Sequence, residues 1–208
     1  MINLRNLGSK RELFVDPWLI DILEGSALHR LHEPIPRNII FRTDAAWEGN
    51  RGGYSTIFED NGLFRMYYFN HQSEIIEEPP GTFREELEPL RIAYAESNDG
   101  ISWLKPELGL FEHNGSKKNN YVWMGVGPSH TGTHGFAPFK DTNSNAAPDE
   151  QYKALGTLYG QGAEPGLYSM YSPDGFHWQL SQESPVMTCG KFDSQTLAFW
   201  DTETRRYC

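Results

Sequence analysis

The pattern Ser-x-Asp-Gly-x-x-Trp is written twice in this chain, as "SNDGISW" at Ser97–Trp103 and as "SPDGFHW" at Ser172–Trp178, 75 positions apart (172 − 97). Each residue type has a structural task in a tight turn. Asp99 and Asp174 can accept hydrogen bonds from the backbone N–H groups of the turn. Gly100 and Gly175 supply a positive φ without a Cβ penalty. Trp103 and Trp178 are large flat rings suited to the gap between neighbouring sheets. The pattern therefore reads as a fold-defining clasp and carries no chemistry of its own.

The flanking segments repeat in the same order. In "YSTIFEDNGLFRMYY" (Tyr54–Tyr68) the Asp60-Asn61-Gly62 turn, whose Asn-Gly pair accepts positive φ, joins two strands into a hairpin. "LRIAYAES" is a third strand, which the clasp turns into a fourth. The second unit runs "GFAPFKD" (Gly135–Asp141), "QYKALGTLY" (Gln151–Tyr159), "GLYSMYS" (Gly166–Ser172) and "PDGFHW". A third unit opens with "SQTLAFWD" (Ser194–Asp201), a turn at Thr202–Thr204 and "RRYC". Asp60, Asp141 and Asp201 correspond. Their unequal spacing follows from an insertion between His71 and Pro89 and from "TNSNAAPDE" in the second hairpin.

Dense Gly and Pro punctuation leaves one short piece with helical character, "GTFREELEPL" (Gly81–Leu90). The expected fold is all-β, a β-propeller of four-stranded antiparallel blades, with about two and a half blades in these residues. Residues 1–43 are lead-in strands, blade one spans about 44–110, blade two about 121–185, and blade three begins at 191–208. Propellers close into rings of 4–8 blades. The chain is therefore expected to be the N-terminal part of a longer ring, and the remaining blades of the same chain are its first expected partner.

A formal charge of −10 and the absence of a basic run argue against nucleic acid and anionic membrane surfaces as partners. No apolar run reaches the roughly 18 residues of a membrane span, and "MINLRNLGSKRE" has no signal-peptide core. A soluble, by default cytoplasmic, protein is expected. Cys189 and Cys208 have no metal-type spacing and read as free thiols. An acidic chain rich in Trp and Tyr suits neutral polyhydroxylated ligands, whose C–H faces stack on aromatic rings. The same aromatics would also serve a core.

Ligands of a propeller bind at the mouth of the central channel, so the segments leading into each innermost strand carry the candidate site. Blade one offers Asp44, Glu48, Asn50, Arg51 and Tyr54; blade two offers His130 and His134; blade three offers Asp193, Ser194 and Gln195. Glu48 and Asp193, on different blades, form the carboxylate pair that glycoside hydrolysis requires, one ionised and the other held protonated. Asp44, Asn50, Arg51, Tyr54, His134 and Gln195 would contact the sugar. With 28 Asp and Glu residues, spare carboxylates are also available to purely structural roles. His130 and His134 lie four apart, but the Thr and Gly residues between them indicate a loop, and no third ligand accompanies them, so no metal is expected. "HRLH" (His29–His32) has the same weakness. Asn114-Gly115-Ser116 matches a glycosylation acceptor. No phosphate-cradling glycine loop or Cys/His pair is present, and no cofactor is expected.

"RELFVDPWLID", "AWEGN", "SNDGISW" and "FDSQTLAFWD", in this order, resemble proteins related to the five-bladed propeller glycosidases of glycoside hydrolase families 32 and 43. The resemblance implies a funnel-shaped site with one acid before the inner strand of each of the first three blades. The third-blade acid falls on Asp193. The first-blade position falls near Tyr54, with Glu48 six residues upstream (54 − 48), and the second near Gly135 or Phe136, with His134 beside it. Two of the three expected carboxylates are thus missing from their places. The resemblance therefore implies either a glycoside hydrolase with a rearranged site or a propeller that binds carbohydrate, or acts as a scaffold, without cleavage.

Overall fold

The structure, a computed structural model, describes residues 6–9, 12–126, 132–159 and 164–208. Contacts divide the chain into Met1–Asn38 and Ile39–Cys208. In the first unit a single 3-10 turn, Pro17–Leu19, is capped by the Asp16 carboxylate, which accepts from the Trp18 N–H. The order that "LFVDPWLID" shows is this cap; no described residue there forms a strand.

The second unit is all-β, and no α-helix occurs among the described residues. Its first sheet has the order β1 (Arg51–Asp60), β2 (Leu63–His71), β5 (Arg91–Ser97), β6 (Tyr121–Trp123), and its second the order β7 (Gly132–Lys140), β8 (Tyr152–Tyr159), β9 (Leu167–Ser172), β10 (Gln179–Leu180). Every pairing is antiparallel. The Asn61-Gly62 turn adopts φ +55° and +86°, the left-handed pair that matches the twist of a two-residue hairpin. The third hairpin is short: β11 (Trp200–Asp201) pairs with β12 (Arg206–Tyr207).

Three expectations change. Gly81–Leu90 is not helical; β3 (Ser73–Glu77) and β4 (Phe83–Leu87) pair as a separate hairpin inside the insertion. The eight residues between Pro80 and Pro89 are too few to hold a helix alone. On β4, Arg84 finds Glu78 and Glu86, while Glu85 takes a hydrogen bond from Ser73 and pairs with Arg51. Second, Tyr121–Trp123 belongs to the first sheet, not to the second four-stranded repeat. The fourth strand of that sheet starts at Leu104, which bridges Glu96, loops out, and resumes opposite Ile92 and Ala93. The second sheet repeats this interruption: Leu180 pairs with Met170, and Met187 returns to Leu167. Third, the two clasp tryptophans do different jobs. Trp178 is buried between the sheets, edge-on to Tyr67 and Phe136. Trp103 lies on the opposite face of the first sheet, in the cluster of Met66, Tyr68 and Phe41.

The core between the sheets joins Tyr67, Ile92, Tyr94 and Val122 to Phe136, Ala154, Met170 and Trp178. Two polar devices close this interface. In the clasp, the Asp174 carboxylate accepts from the Phe176 and His177 N–H groups, as Asp99 does from Ile101 and Ser102. Arg65 and Tyr67 of the first sheet then donate to the Asp174 and Gly175 carbonyls. The second device uses the corresponding aspartates. Asp60 pairs with Arg65 of its own sheet at 2.9 Å and with Lys140 and the Tyr152 hydroxyl of the second. Asp141 repeats this with Lys153 at 2.6 Å and the Tyr207 hydroxyl at 2.7 Å. Tyr152, Tyr207 and Phe64 are equivalent, each lying opposite the residue that precedes its hairpin aspartate.

These carboxylates make the fold acid-sensitive. Burial alone pushes Asp60 and Asp141 up, but the Lys140, Tyr152 and Arg65 contacts of the first, and the Lys153 and Tyr207 contacts of the second, outweigh it and hold both below 3.8. The Ser102 and Ile101 N–H groups hold Asp99 at about 2. Asp174 also reaches about 2, its burial outweighed by His177 and Phe176. A carboxyl depressed in the fold adds stability above its unfolded pKa and loses it as pH falls through the folded value. The urea midpoint is therefore expected to hold above about pH 5 and to fall steadily towards about pH 2. A midpoint that stays level or rises between pH 5 and pH 3 contradicts this assignment.

Among the described residues no helix is long and apolar enough to cross a membrane.

Candidate functional site

Counting back six residues from each hairpin aspartate gives Tyr54 (60 − 6), Gly135 (141 − 6) and Gln195 (201 − 6). These equivalent positions meet in space. The Gln195 side-chain amide donates to the Tyr54 carbonyl at 3.2 Å, to the Thr56 hydroxyl at 3.0 Å and to the Phe136 carbonyl at 3.3 Å. A Cβ on Gly135 would lie 3.0 Å from the Ser194 carbonyl oxygen and 3.3 Å from the Gln195 Cα. The segment leading into β11 therefore meets β1 and β7 at Tyr54 and Gly135, in agreement with the proximity of β1 to β7.

The backbone there is irregular in the same way twice. The β1–β2 register shifts between Gly53 and Thr56, and the β7–β8 register between His134 and Ala137. Such bulges turn a side chain away from the ladder. Tyr54 occupies its bulge at φ +38°, and Gly135 its own at φ +64°. The Tyr54 ring meets the His134 ring edgewise at 5.0 Å and the Phe69 ring at 5.5 Å. Phe69 in turn contacts His71, which burial holds below the ordinary histidine value.

Beside β1 a cleft of about 620 Å³ opens. It is lined by Met66, Tyr68 and Trp103, by the Ile40–Asp44 segment and by Gly52–Ser55. The Asp44 carboxylate is 70 % exposed and stands 3.3 Å from Lys105.

The structure brings together Tyr54, His134 and Gln195 from the expected set. Asp193 is exposed and directly precedes the Ser194 that touches the Gly135 bulge. His130 lies outside the described residues. Glu48 is not at a mouth. It has no exposed surface, and its oxygens accept from the Tyr68 hydroxyl at 2.5 Å, the Ala45 N–H at 2.8 Å and Lys105 at 2.7 Å. Burial, then the contact with Glu48, pushes the Tyr68 hydroxyl far up, so it stays protonated and donates. A carboxylate so enclosed reaches no substrate, and the assignment of Glu48 to catalysis is corrected to a structural ion pair. Asn50 exchanges two hydrogen bonds with the Ser73 backbone, and Arg51 pairs with Glu85, so both fasten the β3–β4 hairpin. The Gln195 amide nitrogen is likewise used within the protein. The equivalence of Tyr54 with Gly135 and Gln195 was readable from the aspartate spacing; the burial of Glu48 depends on Lys105, 57 residues away (105 − 48).

No family model matches the chain, and no curated protein matches it. Among solved structures it is similar to a "putative glycoside hydrolase" from Parabacteroides distasonis ATCC 8503, with 18% identity and a TM-score of 0.43 over 73% of this chain and 38% of that one. It is also similar to a glycosyl hydrolase from Bacteroides ovatus, with 16% identity and a TM-score of 0.42 over 65% of this chain and 32% of that one. The chain spans about a third of the length of these structures.

Proposed function

We propose that these sheets are blades of a β-propeller of the type shared by glycoside hydrolase families 32 and 43, acting on glycosidic bonds of an oligo- or polysaccharide at the mouth where the first strands converge. The meeting of Tyr54, Gly135 and Gln195 from three units supports this reading, since blades arranged about a common axis bring equivalent positions together. Asp193 supplies one carboxylate. With Glu48 enclosed, the second role passes to Asp44, the exposed acid lining the cleft beside Tyr54. One acid protonates the leaving oxygen, while the other acts as nucleophile or activates water.

The enclosure of Glu48 favours a second reading, a propeller that binds carbohydrate without cleaving it. Aryl glycosides and oligosaccharides assayed with the wild type, Asp193→Asn and Asp44→Asn separate the two. Hydrolysis is expected to fall at least about 10²-fold in each variant while sugar binding persists. Binding without turnover by the wild type selects the second reading, and unaltered turnover in both variants removes these acids from the mechanism.

A further inference from the structure

Tyr54 is the one position of the converging set whose residue conflicts with its backbone. At φ +38° an L side chain is strained; the equivalent bulge of the second sheet holds a glycine at φ +64°. Strain of this kind persists where the surroundings enforce it and clusters at ligand sites. Here the enforcement is visible: Gln195 grips the Tyr54 carbonyl, and Phe69 and His134 flank the ring. Yet the ring is not a core residue. Tyr54 remains 38 % exposed and lines the cleft that also holds Asp44. A glycine would satisfy the backbone at no steric cost, and the ring that stands there instead keeps part of its surface open to the cleft.

Resting on the carbohydrate reading above, we infer that Tyr54 is the stacking platform of the site and that its ligand is a pyranoside. A chair-form sugar with equatorial hydroxyls presents an unbroken axial C–H face about the size of a phenol ring. A puckered furanose ring presents a smaller and broken one. The platform acts through its ring face and not through its hydroxyl, so it sets which sugar lies beside the acids and takes no part in bond cleavage.

Calorimetric binding of cellohexaose, xylohexaose and inulin to the full chain, with thermal unfolding of each variant, tests this. The wild type is expected to bind one of the two pyranose hexamers more tightly than inulin. Tyr54→Gly is expected to weaken that binding at least about tenfold, the scale of losing an aromatic anchor, while Tyr54→Phe stays within about twofold of the wild type. Because strain relief offsets the lost ring contacts, Tyr54→Gly should unfold within about 4 °C of the wild type. Tyr54→Asn, which also tolerates positive φ, should match it in both measurements. If the wild type binds but Tyr54→Gly binds equally well, the platform assignment is wrong and the carbohydrate reading stands. Equal loss in Tyr54→Phe shows a hydroxyl contact and overturns stacking; a large fall in melting temperature in both Gly and Asn variants shows a structural ring. A preference for inulin overturns the pyranoside assignment. A wild type that binds none of the three removes the carbohydrate reading and this inference with it.

Discussion

Asp60→Ala is expected to destabilise the protein by about 3–5 kcal/mol, because removing one member of a buried ion pair leaves the other charges uncompensated. The Asp60 side chain is 2 % exposed and serves Arg65, Lys140 and the Tyr152 hydroxyl together. Without it, Arg65 faces the inter-sheet contact with its charge unmatched. Asp201 is the internal comparison. It holds the same place in the repeat but, among the described residues, bonds within its own turn, to the Glu203 N–H and the Thr204 hydroxyl. Asp201→Ala should therefore shift the urea midpoint far less than Asp60→Ala does. Urea unfolding of both variants measures the difference, and equal losses would show that the inter-sheet contacts of Asp60 contribute nothing.

The two clasp glycines are expected to respond unequally to alanine although they share one sequence pattern. Gly100 and Gly175 both sit at positive φ, +71° and +83°. An alanine at either pays the left-handed penalty of about 1–2 kcal/mol. At Gly100 the nearest atom to a new Cβ is the Phe64 ring at 3.8 Å, so the cost stops there. At Gly175 the Cβ would lie 2.5 Å from the Tyr67 hydroxyl oxygen and 2.9 Å from an Arg65 nitrogen. Arg65 can swing aside, but Tyr67 is fully buried and donates to the Gly175 carbonyl. The loss for Gly175→Ala should reach about 3–4 kcal/mol, in the range reserved for core overpacking with a broken buried hydrogen bond. Equal thermal shifts for the two variants would show that Gly175 is not pressed against the first sheet.

Local chemistry explains what the sequence could reveal. The Asn61-Gly62 hairpin, the Asp99 and Asp174 turns and the order of strands depend on residues within a few positions of one another, and pattern reading finds them. The β3–β4 hairpin escaped because its glutamates favour helix in isolation, whereas Arg51, Ser73 and Arg84 make a strand of them. Tyr121–Trp123 pairs with β5 after a long interruption of the strand that begins at Leu104, a separation that local pattern does not bridge. Glu48 looked like a mouth carboxylate because nothing near it in sequence announces Lys105 or Tyr68. The convergence of Tyr54, Gly135 and Gln195 was within reach, since a fixed distance from a repeated aspartate is a local property. Their contact is not.

Phe64 gives the series of aspartate contacts a direction. Tyr152 and Tyr207 each reach back to the aspartate of the unit before them, whereas Phe64, in the equivalent place, has no hydroxyl to offer. Each sheet is thus completed by its successor, and the first sheet asks for no predecessor in this way. The aspartates of the first two units keep a cation of their own sheet and gain a tyrosine hydroxyl from the next one, which couples the stability of neighbouring sheets in one direction along the chain.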